Sequence, residues 1–261
     1  MKASEKLLEK YKSMTEGNQN SGKGSEDFLK LPEGETRIRI LPAANENLPF
    51  YAENIQHGIK IEGKYKSFTC RKVIGEDCPM DDFVSELWGQ HNAACKANGW
   101  VSKETKTPYS EMAKELRGKE RYYLNVVARA DESKVMILNA SKTLFEKVLH
   151  TMLLQEEGEM VYGDISDLKT GRDFIVVSKK KPKASYVTYD ESRPSPKVSA
   201  AGKPDQIQLW TESLHDLQAL VVPSSVEELN TVIAKLREQV EKEFDEFRSK
   251  PSTGLASKMT A

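Results

Sequence analysis

Four residues between positions 57 and 81 have the types and spacing to hold a metal ion: His57, Cys70, Cys78 and Asp81. A tetrahedral structural ion takes thiolate sulfur and imidazole nitrogen readily, and needs four donors. The pattern His-x12-Cys-x7-Cys-x2-Asp has the spacing of such a site, with a carboxylate where a third cysteine would complete it. Aspartate can ligate, so two thiolates, an imidazole and a carboxylate make an acceptable set for Zn2+. Asp82 is a second candidate carboxylate, whereas His91 lies further along and would need the chain to fold back. Three cysteines is an odd count, and Cys70 with Cys78 suits a metal clip in a reducing compartment better than a disulfide framework. Cys95 reads as a half-buried free thiol on a helix.

The second chemical pattern is Lys179-Lys180-Lys181-Pro182-Lys183, followed at once by Tyr186 and Tyr189. Lysines can follow a phosphate backbone while aromatic rings stack bases without reading sequence, the combination used by single-strand binders. Tyr122 and Tyr123 supply matching rings on another strand, where alternation lets only one of the pair stack while the other enters the core. Arg37 and Arg39 fall on one face of an early strand and add candidate phosphate contacts.

Catalysis has little support. The chain lacks a Gly-x-x-x-x-Gly-Lys-Ser/Thr loop, a Gly-x-Ser-x-Gly elbow and a His-Glu-x-x-His pair. Asp164, Asp167 and Asp173 read as solvated turn residues rather than a carboxylate cluster. The expected protein is a binder, not an enzyme.

The elements that must position these groups follow from periodicity. The 261 residues suffice for one large domain with flanks. With 30% charged residues, mean hydropathy −0.60 and no long apolar run, no membrane association is expected. The start of the chain reads as a charged helix rather than a signal peptide. Net charge is −1; residues 200–261 hold 7 basic and 10 acidic residues, leaving 32 and 30 elsewhere, so a cationic groove must come from sidedness. Residues 1–16 read as an amphipathic arm and 17–25 as a flexible linker. Strands are expected at 36–41, 50–56, 64–69, 122–128, 134–138, 172–178 and 185–188. A helix should start at Cys78-Pro79, another after the N-cap Ser141, and a long one should run from Ser225 to about Arg248 and dock on the rest of the chain. Residues 98–120 read as mixed and polar, 190–206 as loop, 207–222 as partly helical and the last dozen as disordered. The class is α+β: a five-stranded OB-type barrel over 28–199 with a metal-binding insertion around 57–97, preceded by the arm at 1–27 and followed by a helical region and tail at 200–261.

Several short stretches in order resemble the single-stranded DNA-binding, helix-destabilising proteins of T4-type bacteriophages. They are Ile38-Arg39-Ile40-Leu41-Pro42, Pro49-Phe50, His57-Gly58, Gly63-Lys64, Thr69-Cys70, Cys78-Pro79, Tyr122-Tyr123-Leu124-Asn125-Val126-Val127 and Tyr189-Asp190-Glu191-Ser192, patches scattered from about Arg37 to Ser192, a span of roughly three-fifths of the chain. The resemblance implies an OB-fold core with a zinc subdomain and cooperative coating of unpaired DNA in replication, recombination and repair, in the cytoplasm of an infected bacterium. It implies zinc ligands at His57, Cys70, Cys78 and position 81, and stacking rings at Tyr122 or Tyr123, Tyr186 and Tyr189. Its partners would be single-stranded DNA, neighbouring copies through the N-terminal arm, and phage replication and recombination proteins. Three features depart from the family pattern. Asp81 replaces a cysteine, the basic arm motif is reduced to Lys2-Ala3-Ser4, and no acidic tail precedes Ala261. An RNA-binding regulator using the same groove, or a scaffold assembling through the 225–248 helix, are the alternative readings.

Overall fold

The computed structural model describes residues 27–45, 47–153, 162–180 and 186–249. The arm, the linker, the last twelve residues, Lys181 and Lys183 lie outside the described residues. Two compact units divide the chain, each made of two segments: 1–54 with 120–222, and 55–119 with 223–261.

The first unit is built on antiparallel strands whose alternating sequences give them two apolar faces. They are β1 (Gly34–Ile40), the start of β2 (Tyr51–Ile61), β4 (Lys119–Ala128), β5 (Asp131–Ser141), β6 (Phe174–Lys180), β7 (Val187–Thr188) and β8 (Arg193–Pro194). Their order is β2-β4-β1-β6-β7, with β5 also on β4 and β8 also on β6. Ile38 is paired with Ala128 on one side and Phe174 on the other, which places β1 between β4 and β6. One face buries Ile38, Ile40, Leu124, Val126, Phe174 and Val176. It is covered by α3 (Lys142–Leu153), which contributes Leu144, Phe145 and Val148. Ser141 caps α3 as its sequence predicts, the Leu144 N–H donating to Ser141 Oγ at 3.3 Å. The other face packs Leu41, Val127 and Val135 against Trp210 of α4 (Pro204–Glu212). That helix starts inside the expected loop, with Pro204 at its first position as the missed signal.

Alternation also explains Arg39, which strand periodicity placed beside Arg37 on a surface. With β1 paired on both edges and the segments around Asp167, Gly171 and Ser199 lying against it, Arg39 is fully buried while Arg37 is exposed. Its guanidinium donates to the carbonyls of Ser199 (3.0 Å) and Asp167 and faces Asp173 at 3.9 Å. Asp173 is correspondingly a buried acceptor rather than a solvated turn residue, taking Arg129 at 2.7 Å. Asp164 and Asp167 do serve turns, accepting from the backbones of Ser166 and of Lys169 and Thr170.

In the second unit the later part of β2 pairs with β3 (Lys64–Thr69), from Gln56↔Thr69 to Ile61↔Lys64. Glu62 and Gly63, both at positive φ, close the hairpin in two residues. Three helices follow: α1 (Pro79–Asn98), α2 (Pro108–Leu116) and α5 (Val226–Ser249). The second lies in the stretch read as mixed and polar; Thr107 accepts from the Ser110 N–H and Pro108 occupies the first turn, a start signal present in the sequence. Helix α5 is capped by Ser225 and docks as expected, burying Leu229, Val232, Ile233, Leu236 and Val240 in one cluster with Phe83, Leu87, Tyr109, Met112 and Leu116. Two polar contacts fix its register: Tyr109 donates to Glu241 at 2.9 Å, and Arg237 grips both oxygens of Glu86 at 2.7 and 2.9 Å. Among the described residues no helix is long and apolar enough to cross a membrane.

Candidate functional site

The four predicted donors converge in the second unit. His57 stands on β2, Cys70 follows β3, Cys78 is the N-cap of α1 and Asp81 lies in its first turn. Their donor atoms all fall within 4.8 Å of one another. Cys78 Sγ is 3.6 Å from His57 Nε2, Cys70 Sγ 3.6 Å from Asp81 Oδ2, and His57 Nε2 3.9 Å from Asp81 Oδ1. A tetrahedral ion with sulfur at about 2.3 Å and nitrogen at about 2.0 Å needs a sulfur–nitrogen edge of roughly 3.5 Å, so the spacing fits. His57 Nδ1 lies 2.7 Å from the Leu116 carbonyl. Only an N–H can pair with a carbonyl, so the proton is held on Nδ1 and the Nε2 lone pair faces the other donors. The cluster can therefore hold a metal ion.

Local electrostatics favour the thiolate at Cys78 but not at Cys70. Backbone hydrogen bonds from Arg71 and from Met80 in the first turn of α1 oppose protonation of Cys78. Cys78 is pulled down chiefly by a hydrogen bond from the Cys70 thiol, with His57 adding to it, and Cys70 is pushed up by the same bond and by burial. Burial lowers His57, but hydrogen bonds to Cys78 and Leu116 outweigh it and leave the imidazole above its ordinary range. Lys72 Nζ sits 2.8 Å from Asp81 Oδ2, and that bond raises the lysine. His91 is elsewhere engaged, with Nδ1 2.9 Å from Thr107 Oγ1 and Nε2 3.1 Å from the Ser102 carbonyl. Cys95 is buried outright, deeper than its sequence context suggested.

The predicted lysines and tyrosines are distributed over the first unit. Tyr123 is buried, its hydroxyl accepting from Asn54 at 3.0 Å, while Tyr122 is half-buried. Tyr122 stacks on Phe145 at a centroid distance of 4.0 Å and 13° between planes, with Tyr51 at 6.1 Å. Burial, followed by its hydrogen bond to Glu120, pushes the Tyr122 hydroxyl up to about 12. Tyr51, which the sequence reading passed over, and Tyr189 pack against the same core cluster. Tyr51 could have been found from the strand that Phe50 begins, since its ring meets Tyr122 across the sheet.

Lys179 and Lys180 are exposed at the end of β6, opposite Thr188 and Val187. Successive strand residues face opposite ways. Lys180 shares its face with Phe174 and Val176, hence with the cluster that carries Tyr51, Tyr122 and Tyr189. Lys179 shares the other face with Ile175 and its partner Arg37, and pairs with Glu191. Tyr186 is 61% exposed.

The family model described as "gp32 DNA binding protein like" matches residues 32–240. This chain belongs to that family. It is similar to the single-stranded DNA-binding protein of Enterobacteria phage T4, 26% identical over 195 residues that cover 69% of this chain and 59% of the relative. It is also similar to the single-stranded DNA-binding protein of Enterobacteria phage T2, 24% identical over 168 residues covering 61% and 50%. The matched region of this family member thus spans half to three-fifths of those curated relatives.

Proposed function

We propose that this chain binds single-stranded DNA without sequence preference, coating and protecting unpaired strand during phage replication, recombination and repair inside the infected bacterium. The observation that carries the reading is the family match across 32–240, joined by two relatives that are both named single-stranded DNA-binding proteins. The antiparallel strands of the first unit form an OB-type core within 28–199, and a metal-held insertion surrounds 57–97. Tyr122, Tyr189 and Tyr51 offer rings on the face where Lys180 emerges, and Tyr186 adds an exposed ring. Arg37 and Lys179 contact phosphate from the other face, and Lys181 and Lys183 are further phosphate contacts in the proposal. Binding needs no bond made or broken: a groove that prefers unpaired strand shifts the duplex equilibrium toward melting. Arg39 and Tyr123 act from within, holding the sheet that carries the others.

Zinc is the ion that the donor set of two thiolates, one imidazole and one carboxylate suits, held by His57, Cys70, Cys78 and Asp81. It would supply a structural cross-link between β2, the end of β3 and the start of α1. Neighbouring copies joined through the N-terminal arm, and phage replication proteins, complete the proposed partners.

The test is a salt-dependent titration with poly(dT), an equal-length duplex and poly(U). Tight binding to poly(dT), weak binding to duplex and a negative slope of log K against log salt are expected. Equal affinity for duplex would refute the reading, and preference for poly(U) would make this an RNA binder.

A further inference from the structure

Helix α3 holds the Tyr122 side chain at two points. Across the β4–β5 ladder Tyr122 faces Ala140, whose methyl gives a ring little support. Strand β5 ends at Ser141 and α3 turns back over the sheet from Lys142, which brings Phe145 onto the ring. The two rings lie nearly parallel, with 4.0 Å between centroids and 13° between planes. Tyr51 braces both, 4.7 Å from Phe145 at 56° and 6.1 Å from Tyr122 at 61°.

The second hold is on the hydroxyl. Tyr122 donates to Glu120 Oε2 at 3.1 Å, and Lys142 donates to Glu120 Oε1 at 3.0 Å. Its bond from Lys142 keeps Glu120 below the usual carboxylate range, so it stays an acceptor for the tyrosine. Lys142 and Phe145 are three residues apart on α3 and therefore share one face of it. That face sets both the plane of the Tyr122 ring and the place of its far end.

Core filling accounts for Phe145, which is 2% exposed and out of reach of any ligand. It does not account for a lysine–carboxylate pair fixing the hydroxyl of a ring that is only half-buried, since water would satisfy that hydroxyl equally well. A ring fixed beforehand loses less freedom when a base stacks on it, and affinity rises accordingly.

The geometry points to Phe145 as a positioning residue for the stacking of an unpaired base on Tyr122, with the Lys142–Glu120 pair as its counterpart at the hydroxyl. This rests on the single-strand reading given above and gives α3 a part in binding through residues that do not touch the strand.

The full chain should be titrated with oligo(dT) at several salt concentrations, with a thermal melt of each variant. The set is wild type, Tyr122→Leu, Phe145→Leu, Tyr122→Leu/Phe145→Leu, Glu120→Ala/Lys142→Ala and Val148→Ala. Tyr122→Leu should weaken binding about 5- to 150-fold, the range found for one stacked base. Phe145→Leu should weaken it at least about 2-fold, the lower end of coupling between residues in contact, and no more than Tyr122→Leu does. Its effect should vanish in the Tyr122→Leu background, which a loss of core packing alone would not produce. Val148→Ala thins the same cluster from the same helix without removing a ring, and should bind like wild type. Glu120→Ala/Lys142→Ala leaves the net charge unchanged, so affinity should fall with the salt slope intact; a slope flattened by about 0.7 would make Lys142 a phosphate contact and end its positioning role. Wild-type affinity in folded Phe145→Leu, or an equal loss in Val148→Ala, would overturn the proposal and leave the single-strand reading standing. If Phe145→Leu does not fold, the pair variant decides in its place, and wild-type affinity there overturns the proposal. If wild type itself ignores oligo(dT), both fall.

Discussion

Replacing Asp81 by cysteine should strengthen metal binding, and the structure sets the terms of the gain. The carboxylate is within reach of the other donors, 3.6 Å from Cys70 Sγ and 3.9 Å from His57 Nε2. It is also divided between two tasks, because Lys72 holds Oδ2 at 2.8 Å and 28% of the side chain is exposed. A thiolate is the softer donor and forms no comparable ion pair, so Asp81→Cys frees the position for the metal alone. The cost is the Lys72 pair, which at this exposure contributes about 0–1 kcal/mol. A tenfold or greater rise in affinity, ~1.4 kcal/mol, therefore outweighs it. With free metal at one hundred times Kd the folded state gains ~2.7 kcal/mol, and at one thousand times ~4.1, so the variant should also unfold later at equal metal. Competition with a chromophoric chelator gives the affinity, and Co2+ substitution counts thiolates through the intensity of their charge-transfer band. That band should rise from two sulfurs to three. Unchanged affinity and an unchanged band in a folded variant would show that residue 81 is not a ligand. In wild type, acid should release the metal, since every donor must be deprotonated to bind.

The Lys179→Gln/Lys180→Gln variant should flatten the slope of log K against log salt on poly(dT) by up to about 1.4, at about 0.7 per phosphate contact; an unchanged slope would remove both residues from the interface. Leu236→Ala empties a fully buried site between α5, α1 and α2 and should cost about 2–5 kcal/mol in urea unfolding, whereas a loss below about 1 would mean that α5 is not packed there. Tyr122 has its hydroxyl raised to about 12, so its contribution to stability is complete below the ordinary tyrosine value of about 10 and is lost as pH rises through 12. Tyr122→Phe should remove that alkaline loss, read as the pH dependence of the unfolding midpoint.

The metal cluster was legible because ligand spacing is a local property: Cys78 and Asp81 share one helical turn, and β2 and β3 form a hairpin that returns Cys70 to His57. The hairpin limits at Lys64 and Thr69, the caps at Ser141 and Ser225 and the apolar stripe of α5 were legible for the same reason. Arg39 was not. Period-two alternation tells that Arg37 and Arg39 share a face, but not that the segments carrying Asp167, Asp173 and Ser199 close over one of them. Burial of an arginine becomes visible only with its partners, and Ser199, Asp167 and Asp173 lie more than a hundred residues away in sequence. The α2 helix was missed for a different reason: its start signal at Thr107-Pro108 is plain, but the helix is only nine residues long and set in charged flanks. Lys179 and Lys180 looked like one patch in the sequence, and the strand that carries them divides the pair between two faces.

The carboxylate at position 81 is best understood through the two groups that surround it. Two thiolates and one carboxylate around a divalent ion leave a formal charge of −1, the same as three thiolates and an imidazole would leave. The electrostatic demand on the protein is thus unchanged by the substitution, and only donor softness and geometry differ. Lys72 answers the charge directly at 2.8 Å, and backbone hydrogen bonds from Arg71 and Met80 favour the thiolate at Cys78. The lysine also restricts the carboxylate: with Oδ2 held by Nζ, Oδ1 is the oxygen that faces His57 Nε2 at 3.9 Å. An aspartate in that place without Lys72 would be free to turn outward or to bind through both oxygens. The Lys72 pair thus occupies one carboxylate oxygen and leaves the other toward the cluster, the division that Asp81→Cys would end.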